Sequence, residues 1–271
     1  MKELFIRSVT GFVYASVLFG SVLLGPWSFY SVYLILCVLT LHEYVVLIRR
    51  DGSKPALIPA VLIGIWPLTN SLLIHQFKLT GTLYPGFIVL LLLLFVIELV
   101  RKAKNPFQNI AWASLGLFYI GIPFGLLSEL AFSSYQNGYS SEFLIFLLIV
   151  LWVFDSGSYM TGVLIGKTPL LKRISPKKTI EGFLGGIIFG SIAIFVLTKI
   201  MHIAPASHLW IIGLVVMLFG TLGDLIESMW KRSMGVKDSG NALPGHGGWL
   251  DRLDSLLLAV PAVYLCLVLL G

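Results

Sequence analysis

The sequence predicts an all-α, polytopic integral membrane protein with about nine transmembrane helices and a cytoplasmic N-terminus. Of its 271 residues, 57% are hydrophobic and only 12% are charged, whereas soluble domains carry about a quarter charged residues. Several apolar runs reach the roughly 20 residues that a helix needs to cross a bilayer. The cationic side chains cluster between these runs, which is a signal of membrane topology. The net charge of +6 therefore indicates orientation in a membrane, and no nucleic-acid partner is expected.

The apolar runs predict the helices in order. Their expected ranges are 8–24, 28–48, 56–74, 84–100, 110–131, 143–162, 180–200, 208–230 and 250–270. Prolines 59 and 67 in the third helix and Pro123 in the fifth are expected to kink them. The first run follows Lys2 and Arg7 but lacks a small-residue cleavage site, so we interpret it as a retained helix.

The cations divide unequally between the two sides that these helices define. One side has only Lys78 and Lys199. The other side takes Lys2, Arg7, Arg49, Arg50, Lys54, Arg101, Lys102, Lys104, Lys167, Lys172, Arg173, Lys177, Lys178, Lys231, Arg232, Lys237 and Arg252. The positive-inside rule makes this side cytoplasmic. We therefore expect a multi-pass protein of the cell inner (cytoplasmic) membrane.

The chain is predicted to form a single membrane domain over residues 1–271. Residues 1–131 would supply N-terminal helices, and 143–271 the catalytic helices with cytoplasmic loops at 163–179 and 231–249. Glycines 182, 186 and 190 recur every fourth residue, which favours close approach of another helix. In the N-terminal helices, Glu43 and Glu98 would either line a cavity or extend to the interface.

The most polar stretch runs from Asp224 to Asp254 and holds five of the chain's 13 acidic residues. Asp224 and Glu227 are three residues apart, as are Asp251 and Asp254, so each pair shares a helical face. With Asp155, these carboxylates are expected at one membrane depth, where charge usually faces a water-filled cavity. Carboxylates that converge from separate helices suit Mg²⁺.

Ion pairing is the alternative interpretation of these acidic residues. Asp251 would then pair with Arg232 or Arg252, and Glu227 with Lys231 on the next helical turn. Sequence spacing leaves both interpretations open.

Two segments indicate phosphate binding. The turn 243–249 is rich in glycine before a helix, so the backbone N–H groups of Gly247 and Gly248 could approach an anion. His246 would contact a phosphate or fix the loop. In the segment 172–182, Ser175 or Thr179 would cap the following helix, and Lys177 and Lys178 would meet an anionic group. Ordinary positive-inside charge is the alternative for these lysines.

The residues 166–168, Gly-Lys-Thr, imitate the end of a P-loop. The motif requires glycine at position 161, which is Thr161, and a preceding strand. We therefore exclude a P-loop.

Three motifs together resemble those of phosphatidate cytidylyltransferases, the CDP-diacylglycerol synthases. The longest is S-x-W-K-R-x4-K-D-x-G-x2-L-P-x-H-G-G-W-x-D-R-L-D, from Ser228 to Asp254. The others are D-S-G-S-Y-x-x-G from Asp155 and S-P-K-K-T-I-E-G from Ser175. The resemblance is specific over about 150–256. Trp230 and Trp249 depart from it, since aliphatic residues are expected there.

The resemblance implies transfer of the cytidylyl group of CTP to phosphatidate, giving CDP-diacylglycerol and pyrophosphate. It also implies a Mg²⁺-dependent, homodimeric enzyme of phospholipid biosynthesis with its active site facing the cytoplasm. Residues matching Asp224 and Asp251 are associated in that family with two cations, the second a candidate K⁺.

Physical chemistry suggests roles for the neighbouring residues. The difficulty is to bring two polyanions together, so positioning and charge neutralisation should dominate. Asp224, Asp251, Glu227 and Asp254 are predicted metal ligands. Asp155, Lys237 and Asp238 are predicted to support catalysis. The predicted phosphate-binding residues are Ser175, Lys177, Lys178, Thr179, Lys231, Arg232, His246, Gly247, Gly248 and Arg252.

Two competing functions share some of these features. An ion-coupled transporter would also hold carboxylates within a bundle, but near the midplane rather than at one face. Another lipid phosphotransferase would share the metal, the cations and the topology.

Overall fold

The computed structural model describes residues 2–79, 83–132, 138–243, 245 and 247–270. The helices are α1 Lys2–Leu23, α2 Pro26–Ile48, α3 Leu57–Phe77, α4 Leu83–Val100, α5 Pro106–Gly116, α6 Ile122–Ala131, α7 Ser141–Ile165, α8 Ile180–Ile200, α9 Ala206–Ser233 and α10 Leu250–Leu270. Two strands, β1 Pro169–Leu171 and β2 Ser175–Thr179, lie between α7 and α8. A π-helical turn, Leu117–Gly121, joins α5 to α6.

The prediction of a helical, multi-pass membrane protein is confirmed. Within the described residues, seven helical segments are long and apolar enough to cross a membrane, and two shorter apolar helices cover Val9–Leu23 and Pro85–Val100. The nine predicted ranges fall on these nine segments. That all nine cross the bilayer, and that the N-terminus is cytoplasmic, stay predictions.

Prolines lie at the start of α2, α5 and α6 and inside α3. Pro26 and Pro106 occupy the first helical turn of α2 and α5, where the missing N–H is harmless. Pro67 lies inside α3, which nevertheless continues to Phe77. The π-helical turn directly precedes Pro123, consistent with a backbone that adjusts locally where a proline removes a hydrogen bond.

The chain divides into two compact units. The first unit comprises Met1–Phe132 with Met234–Leu253, and the second comprises Ser133–Ser233 with Asp254–Gly271. The first unit therefore takes in most of the predicted loop 231–249 and the first turn of α10. The single domain over 1–271 stays a prediction.

In the first unit, α3 packs against α2, α4, α5 and α6. The backbones are in close contact where Gly121 lies over the carbonyl of Gly64 and where Gly125 lies against Pro67. Glu98 is 1% exposed and accepts hydrogen bonds from Arg101 at 2.6 Å and from the Asn109 amide at 3.0 Å. Glu98 is thus a buried residue whose carboxylate is paired within the first unit.

In the second unit, α8 packs along α7 and also contacts α9. Gly182, Gly185 and Gly186 face α7, and Gly190 faces Met217 of α9. The predicted role of this glycine repeat in close helix packing is confirmed, because side chains here would collide with the neighbouring helices.

Among the described residues, the hairpin β1–β2 and an isolated bridge between Leu243 and Gly247 depart from an all-α fold. The antiparallel strands of the hairpin pair Pro169 with Thr179 and Leu171 with Ser175, and its tip carries Lys172 and Arg173. The sequence predicted a cytoplasmic loop over 163–179. The hairpin was not predicted, because strands of three and five residues show too little apolar alternation to be recognised.

Replacing Gly121 with alanine tests the close approach of the π-helical turn to α3. The added Cβ would collide with the backbone carbonyl of Gly64, so the helices must separate, at a cost of about 1–3 kcal/mol. We expect Gly121→Ala to lower the melting temperature of the protein in detergent. The matched control is Gly20→Ala in α1, where a Cβ would meet nothing within 4 Å. Equal melting temperatures for the two variants would contradict this packing.

Candidate active site

Asp224 of α9 is the centre of a polar cluster in the second unit. The ammonium of Lys178, at the end of β2, forms an ion pair with the Asp224 carboxylate. Ser228, one turn further along α9, donates its hydroxyl to Asp224 Oδ1 at 3.2 Å. The side chains of Lys178 and Asp224 are 31% and 29% exposed, so a ligand could reach both.

Asp254 and Asp155 add negative charge to this cluster. The Asp254 carboxyl interacts electrostatically with Asp224, Asp155 and Lys178. Gly223 permits this arrangement, because a Cβ there would collide with the backbone of α10 at Asp254 and Ser255. Three carboxylates around one lysine leave an excess of negative charge, which favours an additional cation.

Glu227 and Lys231 form an ion pair of their own on α9. Their side chains are 0% and 11% exposed. The structure therefore shows the pairing that was the alternative to metal binding by Glu227 and phosphate binding by Lys231. A ligand would first have to open this buried pair, which is costly because it leaves an uncompensated charge.

Asp251 organises the loop before α10, within the first unit. Its Oδ2 accepts hydrogen bonds from the N–H of Ser239 at 2.9 Å and from that of Gly248 at 2.7 Å. The residue is 8% exposed. The N–H of Gly248, which was expected to approach a phosphate, is therefore engaged by a carboxylate of the chain itself.

Glu43 of α2, whose role the sequence left open, contacts this loop region. Its Oε2 accepts a hydrogen bond at 2.9 Å from the N–H of Leu250, the first residue of α10. Glu43 lies on α2, 207 residues away in sequence. The available signal was an acidic residue within an apolar helix, but nothing local indicated its partner.

Of the remaining predicted site residues, those that the structure describes lie on the hairpin β1–β2, around the end of α9 and around the start of α10. Thr179 caps α8 by accepting a hydrogen bond from the N–H of Gly182 at 3.1 Å, as predicted, and Ser175 begins β2. Exposed positions are held by Lys177, Arg232, Lys237, Asp238 and Arg252. Gly247 adopts a left-handed φ of 80° beside Asp251. His246 lies outside the described residues.

The prediction that Asp224 and Asp251 meet around shared charge stays a prediction, since the two residues belong to different units. Over the described ranges, no group of three or more His, Cys, Asp or Glu side chains is arranged to hold a metal ion. Any cation at Asp224 would therefore complete its coordination with other oxygen ligands.

The segment that imitates a P-loop has a structural role. The N–H groups of Lys167 and Thr168 donate to the carboxylate of Glu181, at 3.0 Å and 3.1 Å respectively. These amides therefore join the turn after α7 to the first turn of α8, in agreement with the exclusion of a P-loop.

Comparison with known proteins identifies the family. The model of the cytidylyltransferase family matches residues 5–270. A phosphatidate cytidylyltransferase of Bacillus subtilis is 36% identical to the chain over 271 residues, covering 97% of each. Those of Staphylococcus saprophyticus and Staphylococcus aureus are 35% and 34% identical, covering 80% of each chain. The chain is an enzyme of the cytidylyltransferase family.

Proposed function

We propose that the protein transfers the cytidylyl group of CTP to phosphatidate, with release of pyrophosphate. A phosphate oxygen of phosphatidate attacks the α-phosphorus of CTP, and the bond from that phosphorus to the bridging oxygen of the β-phosphate breaks. The products are CDP-diacylglycerol and pyrophosphate. No protein nucleophile is required, because the lipid phosphate supplies the attacking oxygen.

The observation that carries this proposal is the cluster of Lys178, Asp224 and Asp254. It occurs in a chain that aligns along nearly its full length with a phosphatidate cytidylyltransferase. Lys178 offers positive charge to a phosphate, and the aspartates offer oxygen ligands to a cation. Phosphoryl-type transfer requires both, since polyanionic substrates repel each other.

The donor set of this cluster fits Mg²⁺. Mg²⁺ is commonly held by one or two carboxylates, with waters and substrate phosphates filling its other positions. Asp224 and Asp254 would supply the carboxylates, and Asp155 would orient them or bind through water. When bound, Mg²⁺ would neutralise phosphate oxygens. A second cation at Asp251, with K⁺ as a candidate, belongs to the same proposal.

The cationic side chains would position the phosphates. Lys178 would turn from Asp224 towards a phosphate once a cation neutralises that carboxylate. Lys177, Lys237, Arg232 and Arg252 would neutralise further charge from exposed positions. His246 would contact a phosphate or fix the turn before α10, and the N–H of Gly247 would approach a phosphate.

We further propose that nine helices cross the cell inner membrane, with the N-terminus and the active site facing the cytoplasm, and that the enzyme is a homodimer. The uneven division of cations between alternate loops supports this orientation. Phosphatidate would then reach the site from the inner leaflet.

Incubation of the purified protein with phosphatidate, Mg²⁺ and each of the four nucleoside triphosphates tests the reaction. We expect pyrophosphate release that requires phosphatidate and Mg²⁺ and is at least about tenfold faster with CTP, because a site that hydrogen-bonds one base discriminates against the others by at least this much. Release that is as fast or faster with another triphosphate would indicate a different lipid phosphotransferase. No release with any nucleotide would contradict the proposed reaction.

Replacing Asp224 with asparagine tests its role as a cation ligand. We expect Asp224→Asn to lower kcat about 10²–10³-fold, a loss comparable to that of an electrostatic stabiliser of the transition state, in a protein that still folds in detergent. Asp251→Ala should also abolish turnover. The matched control is Asp51→Asn, an exposed carboxylate after α2, which should retain wild-type activity. Wild-type activity of Asp224→Asn would exclude this carboxylate from the site.

Labelling of single cysteines tests the topology. In a variant with Cys37 and Cys266 replaced by alanine, a cysteine at Lys104 should react with an impermeant thiol reagent only after the membrane is opened. A cysteine at Ser207 should react in intact cells. The reverse pattern would contradict the proposed orientation, and equal reactivity from one side would contradict the number of spans between them.

A further inference from the structure

Glu43 contacts the segment that carries Asp251 at more than one point. Its Oε2 accepts the N–H of Leu250 at 2.9 Å, and its Oε1 lies against Gly240 and Gly248. Glu43 is 8% exposed. The residues involved all belong to the first unit, so helix α2 contacts the segment 239–250 at Gly240, Gly248 and Leu250.

The glycines explain why a long side chain fits here. A Cβ on Gly240 or Gly248 would collide with Glu43 Oε1. Neither glycine has a left-handed φ, so backbone conformation does not require glycine at these positions. Space for the Glu43 carboxylate does, and at Gly240 all three nearest atoms to such a Cβ belong to Glu43.

Helix geometry explains what the contact does. The first N–H groups of a helix lack partners within the helix, and the helix dipole favours negative charge beside them. Glu43 supplies this capping acceptor to α10 from another helix, while Asp251 binds the N–H groups of Ser239 and Gly248. Two carboxylates from different directions therefore fix the same short loop.

We propose that Glu43 is a positioning residue for the reaction, because it fixes the loop 239–250 and with it the carboxylate of Asp251. Its action on catalysis rests on the proposed function, whereas its action on the loop does not. Glu43 touches neither substrate nor cation in this role. Misplacement of a reacting group by about 1 Å can cost about 10²-fold in rate.

Three variants of purified full-length protein in detergent test the proposal. Glu43→Ala removes the acceptor, whereas Glu43→Gln keeps a side-chain oxygen for the N–H of Leu250. The matched control is Glu98→Ala, which removes another buried glutamate of the first unit whose partners are Arg101, Asn109 and Ala56.

The first readout is the rate at which trypsin cuts after Lys237, an exposed residue beside this loop, followed by mass spectrometry. We expect about tenfold faster cleavage in Glu43→Ala, because local opening controls proteolysis. Glu43→Gln and Glu98→Ala should be cut at the wild-type rate. A wild-type rate in Glu43→Ala, or accelerated cleavage in Glu98→Ala to the same degree, would overturn the proposal.

The second readout is pyrophosphate release with CTP and phosphatidate. We expect kcat to fall about 10–100-fold in Glu43→Ala, with KM for CTP within about threefold, and Glu43→Gln to restore at least a third of the wild-type kcat. A loss in Glu43→Gln as large as in Glu43→Ala would overturn the role of the acceptor. Absence of turnover in the wild type would instead refute the proposed function, and the cleavage rates would still decide the role of Glu43 in the loop.

A double-mutant cycle adds an independent check. Gly240→Ala should accelerate cleavage after Lys237 in the wild-type background, because the new Cβ displaces Glu43. In the Glu43→Ala background it should add no further acceleration, since the colliding carboxylate is gone. Additive effects of the two substitutions would overturn the proposed contact.

Discussion

The ion pair between Lys178 and Asp224 is the interaction on which the second unit's polar cluster depends. Charge within an apolar bundle is costly unless it is paired or faces water. Lys178 neutralises one of three carboxylates, and Asp155 and Asp254 leave an excess of negative charge around it. The cluster is therefore suited to receive a cation. The ion pair of Glu227 and Lys231 on the same helix is buried, whereas the pair of Lys178 and Asp224 is partly exposed. The first pair is therefore structural, and the second is accessible to a ligand.

Around the start of α10, which follows a glycine-rich turn, backbone N–H groups need acceptors that the helix itself does not supply. A phosphate at these amides was the expectation from the sequence. Asp251 and Glu43 instead provide the acceptors for Gly248 and Leu250. The N–H of Gly248 is therefore engaged within the chain, and Gly240 and Gly248 have a steric role that the sequence alone does not reveal.

Much of the fold could be predicted, because the signals are long and local. Apolar runs marked the helices, the spacing of Gly182, Gly186 and Gly190 indicated close packing, and Thr179 was recognised as a helix cap. The hairpin β1–β2 was missed, since its strands are short. The family was recognised from the motif between Ser228 and Asp254. The partner of Glu43 could not be found, because a hydrogen bond across 207 residues leaves no mark in local spacing. The choice between ion pairing and metal binding at Glu227 likewise depended on side-chain orientation.

Binding of Mn²⁺, a spectroscopic substitute for Mg²⁺, tests most directly whether the cluster at Asp224 takes a cation with nucleotide. Titration of detergent-purified protein into Mn²⁺ and CTP, without phosphatidate, would be followed by the electron paramagnetic resonance signal of free Mn²⁺. The account predicts that wild-type protein lowers this signal below that of Mn²⁺ and CTP alone, and that Asp224→Asn does not. An equal decrease with Asp224→Asn would contradict the assignment of Asp224 as a cation ligand.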